Sequence, residues 1–454
     1  LQNATAFSTP SAAQLLPPVF DENCDIPDLP RDVEPWSLQA SHSATGDPKH
    51  MQKISACLEK ARTHGGWHWP SKPVVFLSDT HADAEGFLRS LVAAGVICRS
   101  AAKNSDQAGF TLTAFGHSAT VLVGGDCIDK GPSNLDMLDA LADVIATGVD
   151  LHLLAGNHDL RLRLAVDALR GPRSPLTDHL FVRMGRKLLP ALREVFDRYV
   201  TDADIAALPD ETACAARLVP PADWAARFSQ AAKGQLPAKV IRLEIKKLQQ
   251  KSAQFDRQVA KTGLTTRELL AAALKCHDLF FTPGGPYAWF YDRMDVVTRI
   301  GSLLFVHAGL DDSMCALLSE GGPDLVNARY RAEAERASFA FYFGPLANLV
   351  RTKYRTSDCK LTSSGVDQLH RAGIHMIVQG HVNNHAGQRL LAKHGVLHLE
   401  GDVTLDRASR SLEGLPGIGA GATLIFPSGD VIGLSRDYPR AKHFAPERIA
   451  ENWS

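Results

Sequence analysis

Short apolar runs recur along the chain, and each stops at small or ligand-type residues: "PVVFLSD", "ATVLVGGD", "DLHLLAGNHD", "SLLFVHAGL", "HMIVQGH" and "GVLHLEGD". Such runs do not alternate with polar residues, and they predict strands buried on both faces. Segments with helical spacing, "AEGFLRSLVAAGVI" and "NLDMLDALADVIATG", separate the early runs. Strand and helix in turn predict βαβ units around a buried sheet. Near the end, "ATLIFPSGDVIGLS" reads as two strands joined through Ser428-Gly429-Asp430, a hairpin.

Between His158 and His307 this rhythm breaks and the pattern turns helical. In "VIRLEIKKLQQKSAQFDRQVA", positions Ile241, Ile245, Leu248, Ser252, Phe255 and Val259 follow the four-three spacing of a helix seam, with Ser252 interrupting it. Lys233–Lys261 carries eight Lys/Arg against two acidic residues. A solvated outer face on a helix packed against the core is the favoured reading, ahead of a lid or a docking surface for an acidic partner. Residues 1–70 are rich in Pro, Ser and Asp and predict an extended arm plus one helix, "PKHMQKISACLEKARTHG". The expected division is 1–70 arm and helix, 71–164 first part of the core, 165–294 helical insertion, 295–440 second part of the core, and 441–454 tail.

Composition narrows the class. The 454 residues are 45% hydrophobic and 22% charged, with a formal net charge of -1, which describes a globular protein with no wholesale electrostatic preference for nucleic acid or anionic membrane. No run approaches the ~18 apolar residues of a membrane span. Eight cysteines without a CxxC pair fit a reducing compartment. A cytoplasmic location is favoured, and the start at Leu1 leaves room for a removed targeting peptide.

The chemistry sits at the strand ends: Asp79 and His81, Asp126 and Asp129, Asn157 and His158, His307, and His381. Open α/β sheets gather ligands at the carboxyl edges of their strands, so these side chains can converge there. Carboxylates, imidazoles and an amide oxygen suit Mn²⁺, Fe²⁺ or Zn²⁺, and the lack of Cys ligands disfavours a structural zinc. Six ligands, Asp79, His81, Asp126, Asn157, His307 and His381, exceed the needs of one ion and suit two divalent ions with Asp126 as the bridge. Two ions about 3.5–4 Å apart activate a shared water and neutralise a phosphoryl group during in-line displacement. His158, next to Asn157, can then point past the ions as a general acid, with Asp129 placed to orient it and keep it protonated.

In this order "DTH…GGDCIDKG…GNHD…FVHAGL…GH" resembles the calcineurin-like metallophosphoesterase superfamily, in particular its phosphoprotein phosphatase branch and the bacterial Shewanella-like phosphatases. The resemblance covers roughly 74–160 and 295–436. It implies a four-layer α/β/β/α sandwich of two mixed β-sheets, here with a long helical insertion. It places Asp79, His81 and Asp126 on one metal, Asp126, Asn157, His307 and His381 on a second, and His158 with Asp129 as the catalytic pair. It also implies a phosphoric monoester hydrolase in which a metal-bridging hydroxide attacks phosphorus directly. A phosphorylated substrate, a phosphoprotein first, is the expected partner.

Three departures stand out. Ala82 replaces the usual Gly after the first His, a change that is tolerated if the backbone there is not left-handed. Lys130 replaces an Arg that grips phosphate bidentately, and a lysine binds as a point charge. Asp159 replaces a Glu. A second phosphate contact is expected from Arg351, with Arg355 its rival. In "GHVNNHAG" Asn383 stands where phosphodiesterase branches carry a second His, and His385 comes two residues late, which favours the phosphatase branch. His398 reads as a structural or rim histidine, and "EGLPGIGAGA" (413–422) as a mobile rim loop. Two alternatives remain beside the hydrolase: a nucleotide phosphohydrolase with Tyr287 and Trp289 stacking a base, and an inactive metal-binding scaffold acting through the insertion.

Overall fold

The computed structural model describes residues 26, 28–35, 48–99, 109–351 and 360–446. Most of the expected arm, residues 1–25, 27 and 36–47, lies outside the described residues. The strands in chain order are β1 (Val33–Pro35), β2 (Val74–Leu77), β3 (Ile97–Arg99), β4 (Phe110–Leu112), β5 (Thr120–Val123), β6 (Asp150–Leu154), β7 (Met294–Asp295), β8 (Val297–Ile300), β9 (Leu303–Val306), β10 (Met376–Gln379), β11 (Arg389–Lys393), β12 (Val396–Glu400), β13 (Gly421–Ile425), β14 (Val431–Ser435) and β15 (Ala441–Phe444). Among the described residues they form an eight-stranded sheet, β1-β15-β14-β13-β2-β5-β6-β7, a five-stranded sheet, β11-β12-β10-β9-β8, and the small β3-β4 pair.

Both large sheets are mixed. β2, β5, β6 and β7 run parallel, while β13 and β14 join antiparallel. In the second sheet β9, β10 and β12 are parallel, and β8 and β11 close its edges antiparallel. The absence of alternation in the apolar runs has its reason here. Val74 and Phe76 of β2 face the space between the sheets with Leu122, Leu154, Leu303, Phe305, Met376 and Val378. Val75 and Leu77 face the other way, into a cluster with helical residues such as Phe87, Leu91 and Leu138. The Phe76 and Phe305 rings, one from each sheet, lie 5.8 Å apart across the interlayer. Helices Ala84–Ala93 and Asn134–Ala146 cover one sheet, and Pro48–Thr63 lies on β11 and β12 of the other.

The helical stretch is a single enlarged crossover. β6 ends at Leu154 and its parallel neighbour β7 begins at Met294, and helices from Asp159–Arg170 to Ala288–Asp292 fill the interval. In the long helix Ala238–Ala260 the expected seam packs inward: Ile241, Leu248, Phe255 and Val259 are buried, while Ile245 and Ser252 are half-buried.

Two readings of the sequence need revision. Residues 441–444, expected in a tail, form β15, which pairs with β14 and with β1 from the arm. The glycine-rich 413–422 segment is not a loose rim. Arg410, fully buried, donates to the carbonyls of Pro416 and Gly417, and Gly419 N–H donates to Leu405 O. Gly421 already belongs to β13.

Candidate metal and phosphate site

Every expected ligand lies just beyond a strand: Asp79 and His81 after β2, Asp126 after β5, Asn157 after β6, His307 after β9 and His381 after β10. Backbone hydrogen bonds lash these turns together. Asp79 N–H donates to Gly125 O, His81 N–H to Asp126 O, and Gly380 N–H to His307 O. Gly156 packs so closely on the Asp126 turn that a Cβ there would land on the Asp126 carboxylate.

Ligand-type atoms of Asp79, Asp126, His307 and His381 lie within 4.8 Å of one another, and so do those of His81, Asp126 and His158. Asp126 belongs to both groups. His81 Nε2 is 3.7 Å from Asp79 Oδ1 and 3.8 Å from Asp126 Oδ2, and His307 Nε2 is 3.5 Å from Asp126 Oδ1 and 3.1 Å from His381 Nδ1. His307 Nδ1 lies 2.7 Å from Gly124 O, which turns Nε2 toward the cluster.

The donor set decides whether cations fit. Asp79, His81, Asp126 and His307 are buried, His381 is half-buried beside them, and carboxylate and imidazole atoms converge without a cysteine among them, a set that fits divalent metal. The Asn157 amide lies among them, between His381 Nδ1 and Val350 O on one side and Arg161 Nη2 and His158 N–H on the other.

The electrostatics agree. Burial pushes the Asp79 carboxyl up to about 6, against the pull of His307. Burial would also raise Asp126, yet the His158 and His307 imidazoles hold it well below the carboxylate range. Burial opposes charge on His307, but Asp126 and Asp79 outweigh it and push the imidazole up to about 10. Burial lowers His381 to about 4, with His307 adding to the effect.

His158 is 6% exposed, and its Nδ1 lies 2.6 Å from Asp129 Oδ2 while Nε2 is 3.8 Å from Asp126 Oδ2. Asp129 therefore orients the ring. It does not by itself keep the ring charged: burial lowers the His158 pKa despite the raising influence of Asp126 and Asp129. The Lys130 ammonium sits 2.6 Å from His81 Nε2 and 3.4 Å from Ser409 Oγ, at the edge of the cluster. Arg351 donates to Tyr342 O at 3.0 Å and to Asn348 Oδ1 at 3.3 Å, beside the Val350 carbonyl that meets Asn157. Arg355 lies outside the described residues. His398 is buried in β12 with Nδ1 3.2 Å from Gln379 Oε1, a structural histidine, and His385 pairs with Glu413.

Two cations escaped the sequence reading. Arg161 Nη1 is 3.3 Å from Asp129 Oδ2, and Lys187 Nζ is 3.3 Å from His158 Nε2. Arg161 had a signal: three residues after His158 in the same helix, it shares that residue's face. Lys187 had none, because it comes from a 3₁₀ turn of the insertion, Gly185–Lys187. Ala82 has φ 56°, so the condition for tolerating it is not met. Asp79, His81, Asp126, Asp129, Lys130 and His381 share this left-handed backbone. Strained backbone of this kind clusters at active sites.

Residues proposed to stack a base are engaged elsewhere. Tyr287 is buried, stacks on Phe280 at 5.2 Å, and donates to Asp139, while half-buried Trp289 packs against the core.

A sandwich of two mixed sheets with acidic and imidazole side chains gathered at the strand ends defines a metallophosphoesterase fold. Residues 72–213 match the family profile of calcineurin-like phosphoesterases, and the protein carries a domain of that family. No curated protein matches the chain. Among solved structures, a cold-active protein tyrosine phosphatase determined at 1.1 Å shares 16% identity over 82% of this chain and 78% of its own, with a TM-score of 0.41. A cold-active protein-tyrosine phosphatase of a psychrophilic Shewanella species shares 15% over 82% and 80%, TM-score 0.38. A protein serine/threonine phosphatase from Saccharomyces cerevisiae shares 13% over 83% of each chain, TM-score 0.35. Among the described residues no helix is long and apolar enough to cross a membrane.

Proposed function

We propose that this protein is a dinuclear metal-dependent phosphoric monoester hydrolase of the protein-phosphatase type. The observation that carries the reading is His158, held 2.6 Å from Asp129 at the rim of a cage whose carboxylates and imidazoles converge on Asp126. Asp79, His81 and Asp126 would hold one divalent ion, and Asp126, Asn157, His307 and His381 a second. Bound there, two such ions neutralise a phosphate's charge and lower the pKa of water.

The chain's own residues do the rest. Asp129 holds the ring at Nδ1 and leaves Nε2, between Asp126 and Lys187, as the atom from which a proton would pass to the leaving oxygen. Lys130 lies beside the cage, where its charge meets a phosphate oxygen, and Arg351 approaches from the Val350 turn. The donor residues come from five separate strand ends, so substrate oxygens would meet a preorganised set of charges. A metal-binding scaffold would have no use for the His158–Asp129 pair.

The test is metal analysis of the purified protein alongside initial rates on an aryl phosphate, a bis-aryl phosphate, a phosphopeptide and a dinucleoside polyphosphate. Two metal equivalents and preference for the monoesters are expected, and His158→Asn should keep the metal while losing turnover by about 10²-fold or more. Preference for the diester, or full activity in that variant, would overturn the reading.

A further inference from the structure

We propose that the helical insertion carries a docking cleft for an acidic peptide segment flanking the phosphorylated residue of the substrate. This deepens the proposed function and rests on it.

The turn Gly185–Lys187 presents neighbouring cations to two places. Lys187 Nζ reaches the catalytic histidine, 3.3 Å from His158 Nε2 and 3.8 Å from Asp129 Oδ2. Arg186, the preceding residue, lines a cleft of about 590 Å³ between helices Leu189–Tyr199 and Ala238–Ala260, together with Arg193, Gln254, Arg257, Gln258 and Lys261. Four cations line this cleft and no acidic residue does. Arg193 is held by Asp197 and by the Thr262 carbonyl, whereas Arg186, Arg257 and Lys261 make no ion pair among the described residues. Lys251 links cleft and site: burial lowers its pKa, and Arg183, Arg186 and Arg161 lower it further. A band of positive potential thus runs from Arg161 and Lys187 at the reacting end to Arg257 and Lys261.

The shape and lining favour peptide. Gln254 and Gln258 stand one helical turn apart, Gln258 Nε2 donating to Gln254 Oε1 at 3.4 Å, an arrangement that leaves the Gln254 amide N–H₂ and the Gln258 amide oxygen to pair with a peptide backbone. Gln254 to Lys261 spans about 10 Å of helix, room for about three extended residues. The cleft contains no aromatic side chain on which a base would stack, and Tyr287 is buried elsewhere. Converging cations raise the local concentration of an anionic partner and its rate of encounter. The basic face that the sequence suggested was merely solvated is, on this argument, a recognition surface.

Two phosphopeptides of equal length, one with acidic and one with basic flanks, separate the outcomes. The acidic-flanked peptide should show a kcat/KM at least about tenfold higher in low salt, and the advantage should shrink in 0.5 M salt through screening. Arg257→Glu with Lys261→Glu should bring the two peptides to parity. If that pair fails to fold, the Gln/Gln pair serves and should reduce the ratio. Fluorescence anisotropy with an unphosphorylated acidic peptide reads docking without hydrolysis. Binding by the wild type that the double variant loses supports the cleft even if no phosphate ester is cleaved, a result that would fault the proposed function alone. Equal rates for both peptides on an active enzyme, a preference that survives the double variant, or a dinucleoside polyphosphate outcompeting the acidic peptide would overturn the inference.

Discussion

The Asp159 carboxylate lies beneath the turn that carries Asp126. Its Oδ2 accepts from Asp126 N–H at 2.8 Å and Gly156 N–H at 2.9 Å, and its Oδ1 accepts from Cys127 N–H at 2.8 Å and Ile128 N–H at 3.2 Å. Burial and the neighbouring Asp126 push this acid up to about 7, while the backbone donors pull the other way. The departure from Glu therefore concerns the scaffold of the metal turn and not the substrate. Asp159→Asn would aim an amide N–H₂ at two backbone donors. With each of the two stranded buried donors costing about 1–3 kcal/mol, a loss of about 2–6 kcal/mol is expected in urea unfolding of the metal-free protein. A loss below 1 kcal/mol would show that the cradle does not hold the turn.

Ala82 sits at φ 56° with its side chain buried. A left-handed residue with a Cβ costs roughly 1–2 kcal/mol, and glycine would relieve that strain while adding about 0.4–1 kcal/mol of unfolded-chain entropy. Ala82→Gly should therefore stabilise the protein by a net ~0.5 kcal/mol, read from the shift of the denaturation midpoint. A destabilised variant would mean the methyl packs better than its backbone is strained.

Arg410 is fully buried and bonds Asp437 through both ends of its guanidinium, at 2.6 and 2.8 Å, besides donating to Thr404 O and Pro416 O. Arg410→Met leaves Asp437 without this partner and the 414–420 loop without its anchor. Breaking a buried pair on one side costs about 3–5 kcal/mol. Limited proteolysis should cut the variant within this loop and spare the wild type, and equal resistance would count against the anchor.

Lys442 supplies a pH signature away from the metal cage. Its ammonium donates to Ala386 O at 2.6 Å and Gln388 O at 2.9 Å, over the Tyr438 ring, and burial lowers it to about 8. A lysine free in the unfolded chain titrates near 10.4. Between those values the unfolded state holds more protons, so this group makes stability rise as pH climbs from about 8 to about 10.4. The wild-type stability gain from pH 8 to 10 should exceed that of Lys442→Met. Identical slopes would show that the amine titrates normally.

Strand ends were legible because a strand buried on both faces gives an unbroken apolar run, and the chemistry begins where the run stops. β2 and β9 illustrate this, with Asp79 two residues beyond Leu77 and His307 directly after Val306. β15 was missed because "AKHF" mixes Lys442 and His443 into four residues, and their burial depends on partners from β1 and β14. Lys187 and the cleft of Arg186, Arg257 and Lys261 needed the folded insertion, since residues some seventy positions apart meet there. The roles of Asp159 and Ala82 were hidden for a different reason: four converging N–H groups and a positive φ are properties of backbone path, which side-chain type does not encode.

The crossover between β6 and β7 has a bearing on how such a chain diversifies. Two parallel neighbours keep their pairing whatever length of polypeptide joins them, provided it leaves one and returns to the other. Both attachment points here, Leu154 and Met294, belong to the same sheet as the aspartates. Past the helix that carries His158, Asp159 and Arg161, the rest of the crossover can change in length and lining without moving a strand end, so a new recognition surface can be grown on an unaltered frame.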